Sequence, residues 1–233
     1  MTKRDYVYLD FSRNLDAYYY TQVRPSVTIT DEATRKYISE KYFGNPRPCL
    51  YFDGLRQFVN NFPDTVSGRF HQSNKKVIDF WHLIDPGGVI CLIAVVSQRF
   101  IDVLNQIGVN PNEYFIKEIA ITNNKSGLKY YMFFVPRLTE DHIVYKESVF
   151  AALYKSLSPE TMLFESEEDK NEQGKHYSLR DATVKYDSSF PDILKPTGCL
   201  CFFVSERLFN ALEATSIKGY RVSSEYTLKV ISE

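Results

Sequence analysis

Apolar and polar residues form their clearest pattern in the middle of the chain. Residues 89–96 read VICLIAVV, a continuous apolar and β-branched run that is typical of a strand covered on both faces. Ser97 follows, and a serine hydroxyl can begin a helix by accepting a hydrogen bond from a free backbone N–H group. The next segment repeats apolar residues at helical spacing: Phe100, Val103, Leu104 and Ile107. We therefore predict a strand, a serine cap and a helix over residues 98–107 that ends at Gly108.

The same order returns near the end of the chain. An apolar run at residues 198–204 precedes Ser205, and a helical pattern covers residues 206–215. Arg207 follows Ser205 at the distance at which Arg99 follows Ser97. An arginine in the first turn is mildly unfavourable to the helix dipole, so we expect each arginine to have a partner elsewhere. The repeat indicates either that two strand-to-helix corners are built in the same way or that a common pattern of α/β chains recurs by chance.

The rest of the chain gives shorter elements. We predict strands at 6–10, 27–30 and 226–231, a hairpin of residues 114–121 and 128–135, and helices at 31–42 and 147–157. Residues 58–73 show no firm period and are expected to be irregular, and residues 165–173 are expected to form an acidic loop. Together these elements predict one α+β domain over residues 1–233, with a tyrosine-rich part at 1–74 and the two strand–serine–helix units at 75–233. Its sheet is expected to be mixed but mainly antiparallel, with helices packed on it.

Composition narrows the classes of function. The 28 Lys and Arg residues are balanced by 29 Asp and Glu residues, so the chain lacks the basic excess that is typical of proteins that bind nucleic acid or membrane surfaces. Residues 1–10 lack a signal-peptide pattern, and the longest uncharged run, 86–98, is shorter than the roughly 18 residues of a spanning helix. We expect a cytoplasmic protein. The four cysteines do not fit a zinc pattern, and Cys199 and Cys201, two residues apart in an apolar run, are expected to be buried thiols rather than metal ligands. The other two cysteines are Cys49 and Cys91.

Few residues suggest catalytic chemistry. His82 lies near Asp79 and Asp85, and a histidine with a carboxylate can serve a hydrolase or a transferase as a general base. The simpler interpretation is that Trp81 anchors the core and that His82 belongs to a strand or loop. We find no phosphate-binding glycine loop, nucleophile motif or paired metal ligands in the sequence. We expect no enzymatic activity, cofactor or metal, and keep the His82 enzyme as the alternative.

Two surface features are candidates for partner binding. The first is the acidic stretch with Glu165, Glu167, Glu168 and Asp169, which is either a solvated connection or a surface for a basic partner. The second is the run Tyr18, Tyr19 and Tyr20. Because consecutive strand residues point to opposite faces, at least one of these rings should approach solvent, where tyrosine is a frequent interface residue.

Two parts of the chain, roughly 81–135 and 198–222, carry a family resemblance. They contain Trp81 and Asp85, the sequences VSQR at 96–99, EYFIKEI at 113–119, YY at 130–131, FVSERL at 203–208 and KGY at 218–220. In this order they resemble a family of immunity proteins of bacterial polymorphic toxin systems. The resemblance implies a cytoplasmic antitoxin that binds and blocks a co-encoded toxin, and it implies no catalytic residues. The third alternative is a ligand-binding or scaffolding module without catalysis.

Overall fold

A computed structural model of the protein describes residues 6–11, 26–42, 50–71, 77–85, 88–152, 161–173, 177–186, 190–197, 202–222 and 226–231. These residues form an α+β fold with mixed and antiparallel sheets, as the sequence predicted. The strands are Tyr6–Phe11 (β1), Ser26–Ile29 (β2), Ser67–Phe70 (β3), Phe80–Asp85 (β4), Gly88–Ser97 (β5), Phe115–Ile121 (β6), Tyr130–Phe134 (β7), Val149–Ala152 (β8), Thr161–Met162 (β9), Tyr177–Lys185 (β10), Ile193–Leu194 (β11), Phe202–Ser205 (β12), Tyr220–Val222 (β13) and Thr227–Ile231 (β14). The α-helices are Glu32–Tyr37 (α1), Phe52–Asn60 (α2), Gln98–Ile107 (α3), Glu167–Glu172 (α4) and Glu206–Ala214 (α5). A π-helical turn, Ile38–Tyr42, continues α1, and 3₁₀ turns lie at Pro111–Glu113, Glu140–His142 and Tyr145–Glu147.

Six strands close into a barrel in the order β2-β3-β6-β7-β5-β4. Side chains of period two from these strands, together with α2, form one apolar core. Ile93 and Val95 of β5 belong to this core, whereas Ala94 and Val96 belong to a second core on the other face of the strand. The predicted strand that is covered on both faces is therefore confirmed over these residues.

Two four-stranded sheets complete the fold. One has the order β11-β12-β1-β13, and the other has the order β14-β10-β8-β9, in which β10 and β14 run parallel. The second apolar core joins both sheets to α3, α5 and the outer face of the barrel. This core is rich in aromatic rings, among them Phe80, Phe100, Phe133 and Phe202.

Three predictions from the sequence need correction. The predicted helix over 147–157 is wrong at its described start, because the apolar segment Val149–Ala152 pairs with β9 and β10 as strand β8. The predicted acidic loop contains the short helix α4, which begins where the Ser166 hydroxyl accepts a hydrogen bond from the Asp169 N–H group. The region 58–73 is more regular than predicted, since it holds the end of α2 and strand β3.

Candidate functional site

The first strand–serine–helix corner is organised by a buried aspartate. The Ser97 hydroxyl accepts from the Phe100 N–H group and donates to Asp79 Oδ1 at 2.6 Å. The Asp79 carboxylate also accepts from the Arg99 guanidinium at 3.1 Å and from the Lys218 N–H group at 3.0 Å. The side chain of Asp79 has no exposed surface. Arg99 thus has the partner that its place in the first turn led us to expect.

The second corner repeats this arrangement with Asp192. The Ser205 hydroxyl accepts from the Leu208 N–H group at 3.2 Å and donates to Asp192 Oδ1 at 2.5 Å. The Arg207 guanidinium forms an ion pair with the same carboxylate, and this hydrogen bond raises the pKa of Arg207. The repeat that we saw in the sequence is therefore a repeat of hydrogen bonds, and it includes an aspartate that lies at a different sequence distance from each serine.

The two corners are linked reciprocally through their arginines. Arg99 donates at 3.0 Å to the carbonyl of Thr215 at the end of α5. Arg207 donates at 2.8 Å to the carbonyl of Ile107 at the end of α3. Each arginine lies in the first turn of one helix and binds a carbonyl at the C-terminal end of the other helix, where a positive charge is favourable. This pairing offsets the unfavourable place of each arginine in its own helix.

The corners differ in the oxygen that accepts hydrogen bonds from the backbone N–H groups of the aspartate and the residue after it. At the first corner the carbonyl of Lys218 accepts from the N–H groups of Asp79 and Phe80. At the second corner the N–H groups of Asp192 and Ile193 donate to Glu113 Oε2, both at 2.8 Å. A side-chain carboxylate thus replaces a backbone carbonyl at the second corner.

A cleft of 570 Å³ opens beside the second corner, and we call it the cationic cleft. Its charged lining consists of three basic side chains and two carboxylates: Arg137, Lys195, Arg207, Glu113 and Asp192. Lys195 is only 2% exposed. The cleft is also lined by Asn110, Asn112, His142 and the rings of Tyr51, Phe52, Tyr186 and Phe190.

Sequence reasoning missed this cleft. Its residues come from segments around 51, 110, 137, 190 and 207, which are far apart along the chain and carry no common spacing. The one available signal was Arg207, whose place in a first turn required a partner of opposite charge. That signal indicated that an acid exists but did not identify Asp192.

A second concavity, of 500 Å³, lies along residues 140–147 and the start of α4, and we call it the acidic groove. Five carboxylates and two lysines line it: Glu140, Asp141, Glu147, Glu165, Glu167, Lys146 and Lys185. Two of the acids that the sequence singled out are therefore joined by three further acids from another segment. Residues 136–142 contribute to both concavities, since Arg137 lines the cleft and Glu140 lines the groove.

The four predicted acids have different roles: Glu165 and Glu167 line the groove, whereas Glu168 and Asp169 lie beside it in the first turn of α4. Glu165 is exposed and lies 2.5 Å from Lys146 Nζ, which raises the pKa of Lys146. Glu168 is exposed, and hydrogen bonds from its own backbone N–H group and from the Ser166 hydroxyl lower its pKa. Asp169 instead fixes the local backbone, because its Oδ2 accepts from the Glu165 N–H group at 2.9 Å.

Tyr145, which lines the groove, contacts the charged side chains of Glu140 and Lys170. The Tyr145 hydroxyl donates to Glu140, and burial together with this hydrogen bond raises the pKa of Tyr145. Lys170 Nζ lies 3.8 Å from Glu140 Oε1 and 5.4 Å from the centre of the Tyr145 ring. Glu140 and Lys170 are thus partly engaged with the protein, whereas Glu165 and Glu168 face solvent.

The remaining sequence candidates are placed as follows. His82 is buried in β4 and Asp79 in the first corner, and neither side chain lines the cleft or the groove. The structure describes the backbone of Asp85 and Cys91 without their side chains. Several candidates lie outside the described residues: Tyr18, Tyr19, Tyr20, Cys49, Cys199 and Cys201.

In the described ranges, no helix is long and apolar enough to span a membrane. Nor does the described part of the chain bring three or more His, Cys, Asp or Glu side chains together as ligands for a metal ion. Neither a protein-family model nor a curated protein matches the sequence.

Proposed function

We propose that this protein is a cytoplasmic immunity protein that binds a toxin encoded by a neighbouring bacterial gene and blocks it sterically. One observation supports this proposal most strongly. The segments that carry the resemblance to immunity proteins are far apart in the sequence but are joined in one structural unit. VSQR at 96–99 and FVSERL at 203–208 form the two corners, and the KGY segment at 218–220 begins with the residue that binds Asp79.

Gly219 shows how closely these segments fit. Its φ is +112°, which disfavours residues with a side chain. A Cβ atom at this position would lie 2.2 Å from the carbonyl oxygen of Phe80. The glycine of the KGY segment is thus required for its contact with β4. Short motifs that contact one another in the fold support a structural relationship to the immunity proteins better than motifs that lie apart would.

We infer that the toxin binds at the acidic groove. Five carboxylates and two lysines line the groove, and Lys170 and Lys229 pair with two of these acids. Glu168 and Asp169 of α4 add two further carboxylates beside it, so this surface is negative although the whole chain is nearly neutral. Charge of one sign steers a partner of the opposite sign and discriminates against other partners. The partner surface is therefore expected to be basic. A basic surface of this kind is typical of toxins that act on nucleic acid, so an acidic groove would compete with such a substrate.

The first test is a binding measurement with the product of the adjacent gene. We expect copurification and an affinity in roughly the nanomolar range by titration calorimetry, weakening as salt screens the charges. The variant Glu165→Gln/Glu167→Gln/Glu168→Gln should lower the affinity by about tenfold or more. It keeps Asp169, because this residue fixes the backbone at Glu165.

A matched control separates the groove from overall charge. Glu40→Gln/Asp53→Asn/Glu118→Gln removes the same number of carboxylates, one each from the π-helical turn after α1, from α2 and from barrel strand β6. Each of these acids has a basic neighbour, as Glu165 has in Lys146. This control should bind like the wild type. Absence of binding to the neighbouring gene product, or equal weakening by both variants, would contradict the proposal.

A further inference from the structure

An exposed apolar side chain lies just after β9, close in sequence to the acidic groove. Among the residues that the structure describes, three large apolar side chains are exposed: Val77, Leu163 and Val222, at 40%, 63% and 52%. Single exposed apolar residues are common on protein surfaces. Leu163 is set apart by its position, two residues before Glu165, which lines the groove.

The chain alternates between solvent and the core as it leaves β9. Thr161, Leu163 and Glu165 are exposed, whereas Met162 is partly buried and Phe164 is buried. Alternate residues of an extended chain point to the same side and lie roughly 7 Å apart. Leu163 therefore shares its side of the chain with Glu165, and the protein presents an apolar side chain beside the carboxylates of the groove.

The residues on both sides of Leu163 are anchored in the second apolar core. Met162 pairs with Phe150 of β8, and its sulfur accepts a hydrogen bond from the Tyr177 hydroxyl at 3.1 Å. The Phe164 ring packs edge-on against the rings of Phe150 and Tyr177, at centroid distances of 5.3 and 5.0 Å. An inward Leu163 would displace one of these anchors, so its exposure is built into the fold. A backbone held in this way loses little conformational freedom when a partner covers it.

The acidic side of this segment is fixed as well. The Glu165 N–H group donates to Asp169 Oδ2 at 2.9 Å, and the Glu165 carboxylate pairs with Lys146. The apolar residue and the acids thus keep one arrangement between β9 and α4.

Charge alone does not select one partner. Any protein with a basic surface is attracted to carboxylates, and salt screens that attraction. An apolar contact favours only a partner that places an apolar surface at the same point, and it does not depend on charge. A surface that combines both features can distinguish one toxin from other basic proteins.

We propose that the toxin contacts Leu163 with an apolar side chain that lies next to the basic residues bound by the groove. This inference rests on the proposed function and states the surface that the partner must carry: an apolar contact with Lys or Arg on one side of it. Thr161 and Leu163 carry no charge, whereas Glu165, Glu167 and Glu168 come next in the chain. The acids steer the toxin to this surface, and Leu163 selects it among basic proteins.

The test measures binding of the purified product of the adjacent gene by titration calorimetry. Leu163→Asn keeps the size of the side chain but removes its apolar character, and should weaken the affinity by about tenfold. Leu163→Met should bind like the wild type, because it keeps an apolar side chain of similar volume. Val222→Asn is the matched control, since Val222 is also exposed but belongs to β13 in the other sheet. It should bind like the wild type, and thermal unfolding checks that each variant is folded.

Salt and a charged polymer separate the apolar contact from the acids. The loss in Leu163→Asn should persist at high salt, whereas the loss in Glu165→Gln/Glu167→Gln/Glu168→Gln should shrink. Polylysine offers charge without a matching apolar surface, so it should bind Leu163→Asn as tightly as the wild type and the groove variant more weakly. Weaker binding of polylysine to Leu163→Asn would overturn the proposal, because the leucine would then act through the acids.

The outcomes distinguish this inference from the proposed function. If the gene product binds Leu163→Asn as tightly as the wild type, or if Val222→Asn weakens binding equally, the contact at Leu163 is refuted while the antitoxin function stands. Absence of binding to the wild-type chain would overturn both.

Discussion

The two corners use the same types of residue to begin a helix, but the first is covered by the chain and the second borders a cleft. We call the first corner closed and the second open. At both, an aspartate binds a serine hydroxyl and an arginine, and the arginine binds the far end of the other helix. At the first corner Asp79 is fully buried and a backbone carbonyl covers the adjacent N–H groups. At the second corner Asp192 lines a cleft and Glu113 takes the place of that carbonyl.

The same arrangement of aspartate, serine and arginine can thus be packed against other residues or border an open cleft. At the second corner the side chain of Glu113 accepts the hydrogen bonds that a backbone carbonyl accepts at the first corner. The space beside Asp192 becomes the cationic cleft, whereas the corresponding space at Asp79 is filled by residues 218–220. The closed corner is expected to contribute more to stability than the open corner.

The largest expected effect comes from removing the two aspartates separately. Asp79→Ala leaves Ser97, Arg99 and the Lys218 N–H group without their acceptor in a buried place, and should lower the free energy of unfolding by about 3–5 kcal/mol. Asp192→Ala should lower it by about 1–3 kcal/mol, because the removed carboxylate lines the cleft and water can enter the space that it leaves. Urea denaturation measures both values. An equal or larger loss for Asp192→Ala would contradict the distinction between a closed and an open corner.

A glycine at the closed corner gives the next largest effect. In Gly219→Ala the new Cβ would collide with the carbonyl of Phe80, and the left-handed backbone adds strain, so we expect a loss of about 3 kcal/mol or more. Gly108→Ala is the matched control, since φ is +69° there and nothing lies within 4 Å of the new Cβ. It should lose only about 1 kcal/mol. Similar thermal unfolding of the two variants would show that residues 218–220 do not pack as described.

The reciprocal arginines should have smaller and nearly equal effects. Arg99 and Arg207 are 39% and 49% exposed, so solvent screens their ion pairs. We expect Arg99→Gln and Arg207→Gln each to lower the free energy of unfolding by about 1 kcal/mol, and less at high salt. Urea titrations at two salt concentrations test this. A loss confined to one of the two variants would mean that the links are not equivalent.

The smallest expected effect is a gain in stability. Ser216 occupies the place after α5 that Gly108 occupies after α3, and it has a positive φ of 53°. Ser216→Gly should therefore raise the free energy of unfolding by about 0.5–1 kcal/mol. The exchange Gly108→Ser should have the opposite sign. Differential scanning calorimetry resolves such shifts, and destabilisation by Ser216→Gly would show that the serine side chain has another role there.

The sequence predicted what local patterns determine. Residues 98–107 and 206–214 are helices with serine caps because periodicity and capping are written in neighbouring residues. It did not predict that Asp79 and Asp192 serve the same purpose, since each lies at its own distance from the serine it binds. The sequence pattern predicted a helix where β8 lies, because the pairing of Val149–Ala152 with β10 outweighs the local preference of these residues for a helix.

The candidate sites were predicted to different degrees. Two of the acids that line the acidic groove, Glu165 and Glu167, belong to the acidic run that is visible in the sequence. Their association with Glu140 and Glu147 was not predicted, because it depends on how the segments pack. The cationic cleft could not be predicted, because its residues come from segments that are far apart in the sequence and share no spacing.

The most direct test of the central claim is protection of growing cells. Bacteria that express the neighbouring gene product alone should stop growing, and coexpression of the wild-type chain or of Glu40→Gln/Asp53→Asn/Glu118→Gln should restore growth. We expect Glu165→Gln/Glu167→Gln/Glu168→Gln, expressed to the same level, to protect much less. Failure of the wild-type chain to protect would contradict the proposed antitoxin function. Full protection by the groove variant would contradict the assignment of the acidic groove as the surface that binds the toxin.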